Sequence, residues 1–321
     1  MPLLLTEADV KAILTMPLAL QLVEESFRRL ADGTGVCQSR QRLRMAGKGY
    51  MHYMAASDAA GGYMGLKIYT VSPNGARFLV PLFDARSGEL LALIEADYLG
   101  QMRTGAASGV ATRLMAREDA RTAGIVGTGL QARTQLEAVA RARKLKVIRA
   151  YGRSVDRREQ FAIDMTARLG VSVTPVPTAE QAVRGAHIVI TSTTSVNPVV
   201  EGRWLERGAH INAIGVNFAE KRELDAEAIG RCEVIAADSV EQSKIEAGDL
   251  IQAFGADSSR WASVRELADI VSGNSAGRTS PGQITLFKSN GIAIEDIVVG
   301  GKIYEIARDR GVGRDVAMWV K

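Results

Sequence analysis

The sequence predicts an α/β chain of two domains, and three observations carry that expectation. Its 321 residues are about twice what one typical domain uses. From residue 118 onward, short apolar strands alternate with amphipathic helices, wiring that calls for a parallel sheet covered on both faces. Before that point, residues 36–97 read as β alternation and turns, the texture of an α+β module with a largely antiparallel sheet.

Taken in order, Thr6-Glu-Ala-Asp9 reads as a capping-box start for a short helix. Met16-Pro17 opens a second helix with Leu18, Leu22 and Phe27 on its apolar side, running out at Asp32-Gly33. Strands are expected at 63–71 and 78–83, a turn at 84–88, and a strand over Leu90–Ile94. A helix of small residues follows from about Tyr98 to Ala116. Beyond it come strands at 122–126 and 146–151, each followed by a helix (to about 143, and over 155–169), then strands near 171–175, 187–191, 210–214 and 233–237. The tail from Gly291 reads as one more helix with Ile294, Ile297, Val298, Ile303 and Ile306 on a face, weakened at Gly300-Gly301.

Composition narrows the function. Apolar residues make up 46% and charged residues 24%, so both domains have material for a core. Forty basic against 36 acidic residues leave +4, spread without the lysine/arginine block that tracks a phosphate backbone, so nucleic acid is not an expected partner. No apolar run approaches the ~18 residues of a spanning helix, and no membrane partner is expected. MPLLLTEADV lacks a basic n-region and meets acids at Glu7 and Asp9, so no secretory signal is expected. Two distant cysteines, Cys37 and Cys232, and three scattered histidines suit a cytoplasmic protein with no metal site.

The turn Gly127-Thr128-Gly129-Leu130-Gln131-Ala132 fits G-x-G-x-x-A after an apolar strand and before a helix. There Gly127 makes the tight turn, Gly129 lets the backbone approach a pyrophosphate, and Ala132 lets the helix pack closely on the strand. This marks a Rossmann-like dinucleotide-binding domain. At the end of its second strand, where an acid would hold a ribose, stand Arg153 and Ser154. They suit a 2′-phosphate, which predicts NADP(H) in preference to NAD(H), although Arg153 also reads as a solvated surface residue.

Several further patches together resemble the ornithine cyclodeaminase / mu-crystallin family. They are Gly65-Leu-Lys67, the run 82–88, Arg103-Thr-Gly-Ala-Ala-Ser108, the turn at 127–132, residues 210–215 with 222–225, and residues 289–296, in family order and spanning nearly the whole chain. The resemblance implies a discontinuous substrate-binding and dimerisation domain, residues 1–117 with 291–321, around a dinucleotide-binding domain at 118–290. It implies a homodimer acting on the C–N bond of a small amino or imino acid, most directly a ketimine reductase. Cyclodeaminases, alanine dehydrogenases and a cofactor-loaded binding protein also belong to the family.

Candidate site residues follow from setting each motif beside its plainer reading. Mid-strand Lys67 reads by pattern as a snorkelling surface lysine, whereas the resemblance turns it toward the substrate. Arg103 reads as a helix-end ion pair, or by resemblance as the clamp on a substrate carboxylate, with Thr104 then near the cofactor. Arg40, Arg42 and Arg44 share one face of a presumed strand. Arg40 best matches the family's second carboxylate-binding arginine, and Arg42 is its rival. His52 is structural or reads the distal end of the substrate. Thr193 and Thr194 follow a strand at the cofactor edge of the sheet, and the resemblance places Lys221 and Ser289 near the nicotinamide half. Asp296 is a helix N-terminal charge or a neighbour of the site. Asn217 stands where the cyclodeaminases carry an aspartate, and an amide is no general base at neutral pH.

Overall fold

The computed structural model describes residues 1–318. The elements are, in order, β1 (Leu3–Leu5), α1 (Glu7–Ile13), α2 (Met16–Ala31), β2 (Gly35–Cys37), β3 (Gln41–Arg44), β4 (Tyr50–Asp58), β5 (Tyr63–Ser72), β6 (Gly75–Asp84), β7 (Leu90–Glu95) and α3 (Asp97–Met115). Then come β8 (Thr122–Val126), α4 (Leu130–Ala142), β9 (Val147–Tyr151), α5 (Val155–Leu169), β10 (Val173–Pro175), α6 (Ala179–Val183), β11 (Ile188–Thr191), β12 (His210–Ala213), α7 (Ala226–Arg231) and β13 (Val234–Ala237). The chain finishes with α8 (Val240–Glu246), α9 (Gly248–Phe254), α10 (Ser258–Ala262), β14 (Arg265–Glu266), α11 (Leu267–Ser272), β15 (Thr285–Lys288), α12 (Ala293–Arg310) and β16 (Arg314–Asp315).

These elements form two compact units, Met1–Arg103 with the chain from Gly291 onward, and Thr104–Asn290. The division lies inside α3, where the sequence reading put it at the end of that helix near residue 117. The physical reason is packing. Residues after Arg103 lean on α4, where Gly105 lies against Thr134 and Gln135 Nε2 donates to the Thr104 carbonyl at 2.9 Å.

The first unit holds an eight-stranded sheet ordered β16-β1-β7-β6-β5-β4-β2, with β3 also on β4. Every pairing is antiparallel except β1 with β7. The capping box forms, with Thr6 Oγ1 accepting from Asp9 N while Asp9 accepts from Thr6 N. Helix α12 crosses β4, β5 and β6 and packs on α2. It runs unbroken through Gly300-Gly301, because those glycines serve contact rather than interruption. A Cβ on Gly301 would lie 2.5 Å from the Tyr63 ring, so only glycine lets the helix sit this close to β5. Short β1 and β2, nine-residue β4, and β14, β15 and β16 escaped the periodicity reading, as did the helices between α5 and α12.

The second unit is a Rossmann-like sheet, parallel throughout, ordered β10-β9-β8-β11-β12-β15-β13-β14. Its central strands are buried on both faces, as in Ile188–Thr191 and Val234–Ala237. Two apolar clusters flank it, one with Phe161, Leu136 and Ile148, the other with Ile211, Leu224 and Leu286. Within it, His210 is fully buried, with Nδ1 2.9 Å from Thr285 Oγ1 and Nε2 3.3 Å from Asn212 Oδ1. Burial above all, then the charge of Arg278, pushes its imidazole down from 6.5 to about 3.

An unfolded chain therefore binds a proton at this position below about pH 6.5 that the folded chain refuses until about pH 3. The stability contributed by neutral His210 is complete above that window and drains away as pH falls through it. Chemical denaturation of the parent and of His210→Gln at pH 7.5 and pH 5 should show the variant losing less stability between the two. Equal losses would remove His210 from the acid response.

Candidate functional site

The register of the first sheet builds one cluster. His52 on β4 lies opposite Tyr69 on β5, and Met54 lies opposite Lys67. Strand alternation then sends His52 and Met54, with Gly65, Lys67 and Tyr69, to one buried face. Lys67 is 2% exposed and donates from Nζ to Asp296 Oδ1 at 2.6 Å. The snorkelling reading of Lys67 is thus wrong for this strand, whose charged end points inward. Its ammonium also stands 5.6 Å from the centre of the Phe78 ring. Burial pulls the Lys67 ammonium down from 10.5 to about 8; Asp296 works to raise it, while Arg103 and Arg40 work to lower it.

Arg103, on α3, donates from Nη1 to Glu295 Oε2 at 2.7 Å and has Nε 3.4 Å from Asp296 Oδ1. Arg40, buried and just ahead of β3 rather than in it, donates from Nη2 to the Gly291 carbonyl at 3.0 Å. Gly291 has a φ of +80°, and a Cβ there would fall 2.6 Å from Arg103 Nη1. One glycine thus seats both guanidinium groups. Burial falls off along the arginine row: Arg40 is buried, Arg42 half-buried and Arg44 exposed. His52 stacks on Tyr69 with ring centroids 4.4 Å apart, and burial, then Arg40 and Arg42, pushes it down to about 4. It is a neutral imidazole at pH 7.

A second cluster sits in the other unit, at the carboxyl ends of the parallel strands, where such sheets bind ligands. Gly127 follows β8 with a φ of +111°, and a Cβ on it would collide with the Ser192 carbonyl. Gly129 heads α4 with open space around it, and α4 has no side-chain cap, so its first N–H groups remain for an anion. Ala132 is buried, as close packing of helix on strand requires. The turn therefore fits a dinucleotide pyrophosphate. Thr128 and Gln131 are half-buried and Leu130 is exposed. Thr128 packs on Gly152 at the end of β9, beside exposed Arg153 and Ser154. The Ser154 hydroxyl caps α5 by accepting from Arg157 N at 3.4 Å.

A buried carboxylate organises the neighbouring loops. Glu223 accepts from Thr191 Oγ1 at 2.8 Å, Thr193 N at 2.6 Å and Gly215 N at 2.8 Å. Asp249 accepts from Glu223 N and Leu224 N and pairs with Lys288 Nζ at 3.0 Å. Burial and then Asp249 push the Glu223 carboxyl above its ordinary range. Thr194 is exposed; Asn217 and Lys221 lie half-buried in the loop after β12, with the Lys221 ammonium 4.9 Å from the Phe218 ring centre. Ser289 is buried and donates to Asp238 Oδ2 at 2.8 Å.

The ornithine cyclodeaminase/mu-crystallin family model matches residues 1–311. The chain belongs to that family. It is 37% identical over 261 residues to a Δ1-pyrroline-2-carboxylate reductase of Bacillus cereus, covering 79% of this chain and 80% of the relative. The Thermococcus litoralis Δ1-pyrroline-2-carboxylate reductase, solved with NADH and L-proline, superposes with a TM-score of 0.94 at 35% identity, covering 98% of this chain and all of that one. An archaeal alanine dehydrogenase dimer with bound NAD superposes at 0.92 and 31% identity, covering 99% of each chain.

Two buried acids of this ornithine cyclodeaminase/mu-crystallin member were underestimated from sequence. Asp296 was left undecided and Glu295 went unremarked, yet they hold Lys67 and Arg103. The signal was there: adjacent acids inside the apolar run Ala293-Ile-Glu-Asp-Ile-Val-Val, all of it buried. Glu223, Asp249 and Lys288 were missed as a group because their partnership joins three separate segments. Gly127→Ala should cost more than about 1 kcal/mol, since a positive φ and a backbone collision both oppose the new methyl. Thermal unfolding and dinucleotide titration check this; parent-like values in both would mean the turn tolerates a side chain.

Proposed function

We propose that this protein is an NAD(P)H-dependent reductase of small 2-imino acids, with cyclic ketimine carboxylates of the pyrroline type as its substrate class. The observation that carries the reading is the charge balance of the cluster around Lys67 and Arg103. In this cluster, at the first turn of α12, three buried cations, Arg40, Lys67 and Arg103, accompany two buried carboxylates, Glu295 and Asp296; the other buried acid of the unit, Asp58, pairs with Arg29. A substrate monocarboxylate evens that count, and a guanidinium fork offers it paired donors. His52, neutral at pH 7, suits an uncharged distal portion of the substrate. The turn at Gly127, Thr128, Gly129, Leu130 and Gln131, with Thr104, Thr193, Thr194, Lys221 and Ser289, would hold the dinucleotide. When bound, the reduced nicotinamide supplies the hydride. The chain's own residues hold the carboxylate, exclude water and manage the proton. Similarity to the pyrroline-2-carboxylate reductases supports the substrate class.

Asn217 weighs against ornithine cyclodeamination. That reaction needs a proton acceptor while an amine is oxidised, whereas reduction of a preformed imine does not. Nicotinamide absorbance followed with Δ1-pyrroline-2-carboxylate should show steady oxidation of the cofactor, and Arg103→Ala and Lys67→Ala should each lower kcat/KM by about 10²-fold or more. Robust proline formation from ornithine by the parent would overturn the reductase reading.

Within this reading the finer cofactor choice is NADP(H) over NAD(H). Its support is that Arg153 is exposed, next in sequence to Gly152 where Thr128 of the turn packs, and a guanidinium suits a 2′-phosphate. Arg153→Asp should reverse or erase the preference, because an acid repels that phosphate and accepts a ribose hydroxyl instead. Equal affinity of the parent for both cofactors would refute it.

The functional form is a homodimer built on the first unit. The sheet face turned away from α12 carries half-buried Met64, Leu66, Ile68, Leu79, Pro81 and Phe83, a contiguous apolar set of the kind that marks an interface. A second copy of the same face is the occupant supported by the dimeric archaeal relative.

A further inference from the structure

Reduction of an imine needs a proton as well as a hydride, and Asn217 is not an acid that supplies one. The buried pair on β5 and α12 is. Resting on the reductase reading above, we propose that Asp296 is a positioning residue for Lys67, holding its ammonium charged and in place so that Lys67 delivers the proton taken up by the imine nitrogen. As the imine carbon gains hydride, the C=N π pair moves to nitrogen and takes a proton from Lys67 Nζ. The neutral Lys67 amine left behind recovers its proton from solvent.

The geometry supports this role in three ways. Lys67 Nζ and Asp296 Oδ1 are 2.6 Å apart, with side chains 2% and 0% exposed, so the pair is shielded and short. Asp296 Oδ2 is also buried yet accepts no hydrogen bond from the described residues. Finally, the work of neutralising Arg103 falls mainly to the adjacent Glu295, whose Oε2 lies 2.7 Å from Nη1, against 3.4 Å from Arg103 Nε to Asp296. Division of labour between neighbouring acids leaves Asp296 for the lysine.

Lys67 is faced by Asp296 from α12, Arg103 from α3, Arg40 from the segment before β3, and the Phe78 ring from β6; His52 on β4 is neutral. Arg103 and Arg40 favour loss of its proton, and Asp296 opposes it. The ammonium therefore persists below about pH 8 and is lost above it. Without the Asp296 charge that loss comes at lower pH.

The test follows kcat/KM for Δ1-pyrroline-2-carboxylate against pH in the parent, Asp296→Asn and Asp296→Glu. Alongside it, calorimetry follows affinity for pyrrole-2-carboxylate, a planar ring acid whose charge is constant above about pH 6. In the parent both quantities should fall as pH rises through about 8. In Asp296→Asn the fall should move down by about one pH unit or more, and Asp296→Glu should return it toward the parent. Lys67→Arg, charged throughout, should abolish the fall in affinity. An unmoved profile in Asp296→Asn, or a fall that persists in Lys67→Arg, overturns the assignment. If Asp296→Asn does not fold, Lys67→Arg decides alone. A parent that reduces no imino acid overturns the reductase reading instead, and the affinity measurements still judge the coupling of Asp296 to Lys67.

Discussion

Everything in the first unit answers to one electrostatic constraint: Lys67 and Arg103 have their charges out of water and must be met by carboxylates. Removing an ion from water costs several kcal/mol even after relaxation, and a partner repays this only with good geometry. Helix α12 brings both partners, Glu295 and Asp296, in consecutive positions at its first turn. Adjacent residues on a helix point about 100° apart, which is why two neighbouring acids reach two different cations. The glycines at 300–301 follow from the same constraint, because the helix must lie close to β5 for those acids to reach Lys67 and Arg103.

The second unit solves a related problem with backbone groups. Strand ends that bear a ligand site leave N–H groups unsatisfied, and an unpaired buried donor is costly. Glu223 takes up two of them, Thr193 N and Gly215 N, while Asp249 takes up those of Glu223 and Leu224. The loops carrying Thr193 and Asn217 are thereby fixed to one carboxylate, and their separation is set by its two oxygens. Thr194, one residue beyond, stays exposed.

Legibility from sequence tracked the range of the interaction. The Thr6–Asp9 box and the turn at 127–132 depend on residues a few positions apart, so their spacing declares them. Apolar strands such as β8 and β11 were equally plain, because burial on both faces makes them near-continuous apolar runs, whereas β14 and β15, with Arg265-Glu266 and Thr285 to Lys288, went unread. By contrast, β15 enters between β12 and β13 after a stretch of short helices, a topology no local pattern encodes. Lys67 looked solvent-facing because its partner lies 229 residues away in sequence. Arg40 ranked ahead of Arg42 only by resemblance; the physical difference, that Arg40 stands outside the strand and reaches Gly291, needed the structure.

The discontinuity of the first unit bears on how the molecule is made. A chain emerging from synthesis exposes residues 1–103 long before Gly291 appears, whereas Thr104–Asn290 is contiguous. Domains generally fold as units in order of emergence. Here the central unit is the one that finishes first, and the amino-terminal segment waits with Lys67 and Arg103 still hydrated. The final helix is a keystone in the sense that Lys67 and Arg103 have their carboxylate partners only once it is present. A nascent chain arrested before residue 295 would hold the whole contiguous unit and lack both acids that pair with Lys67 and Arg103.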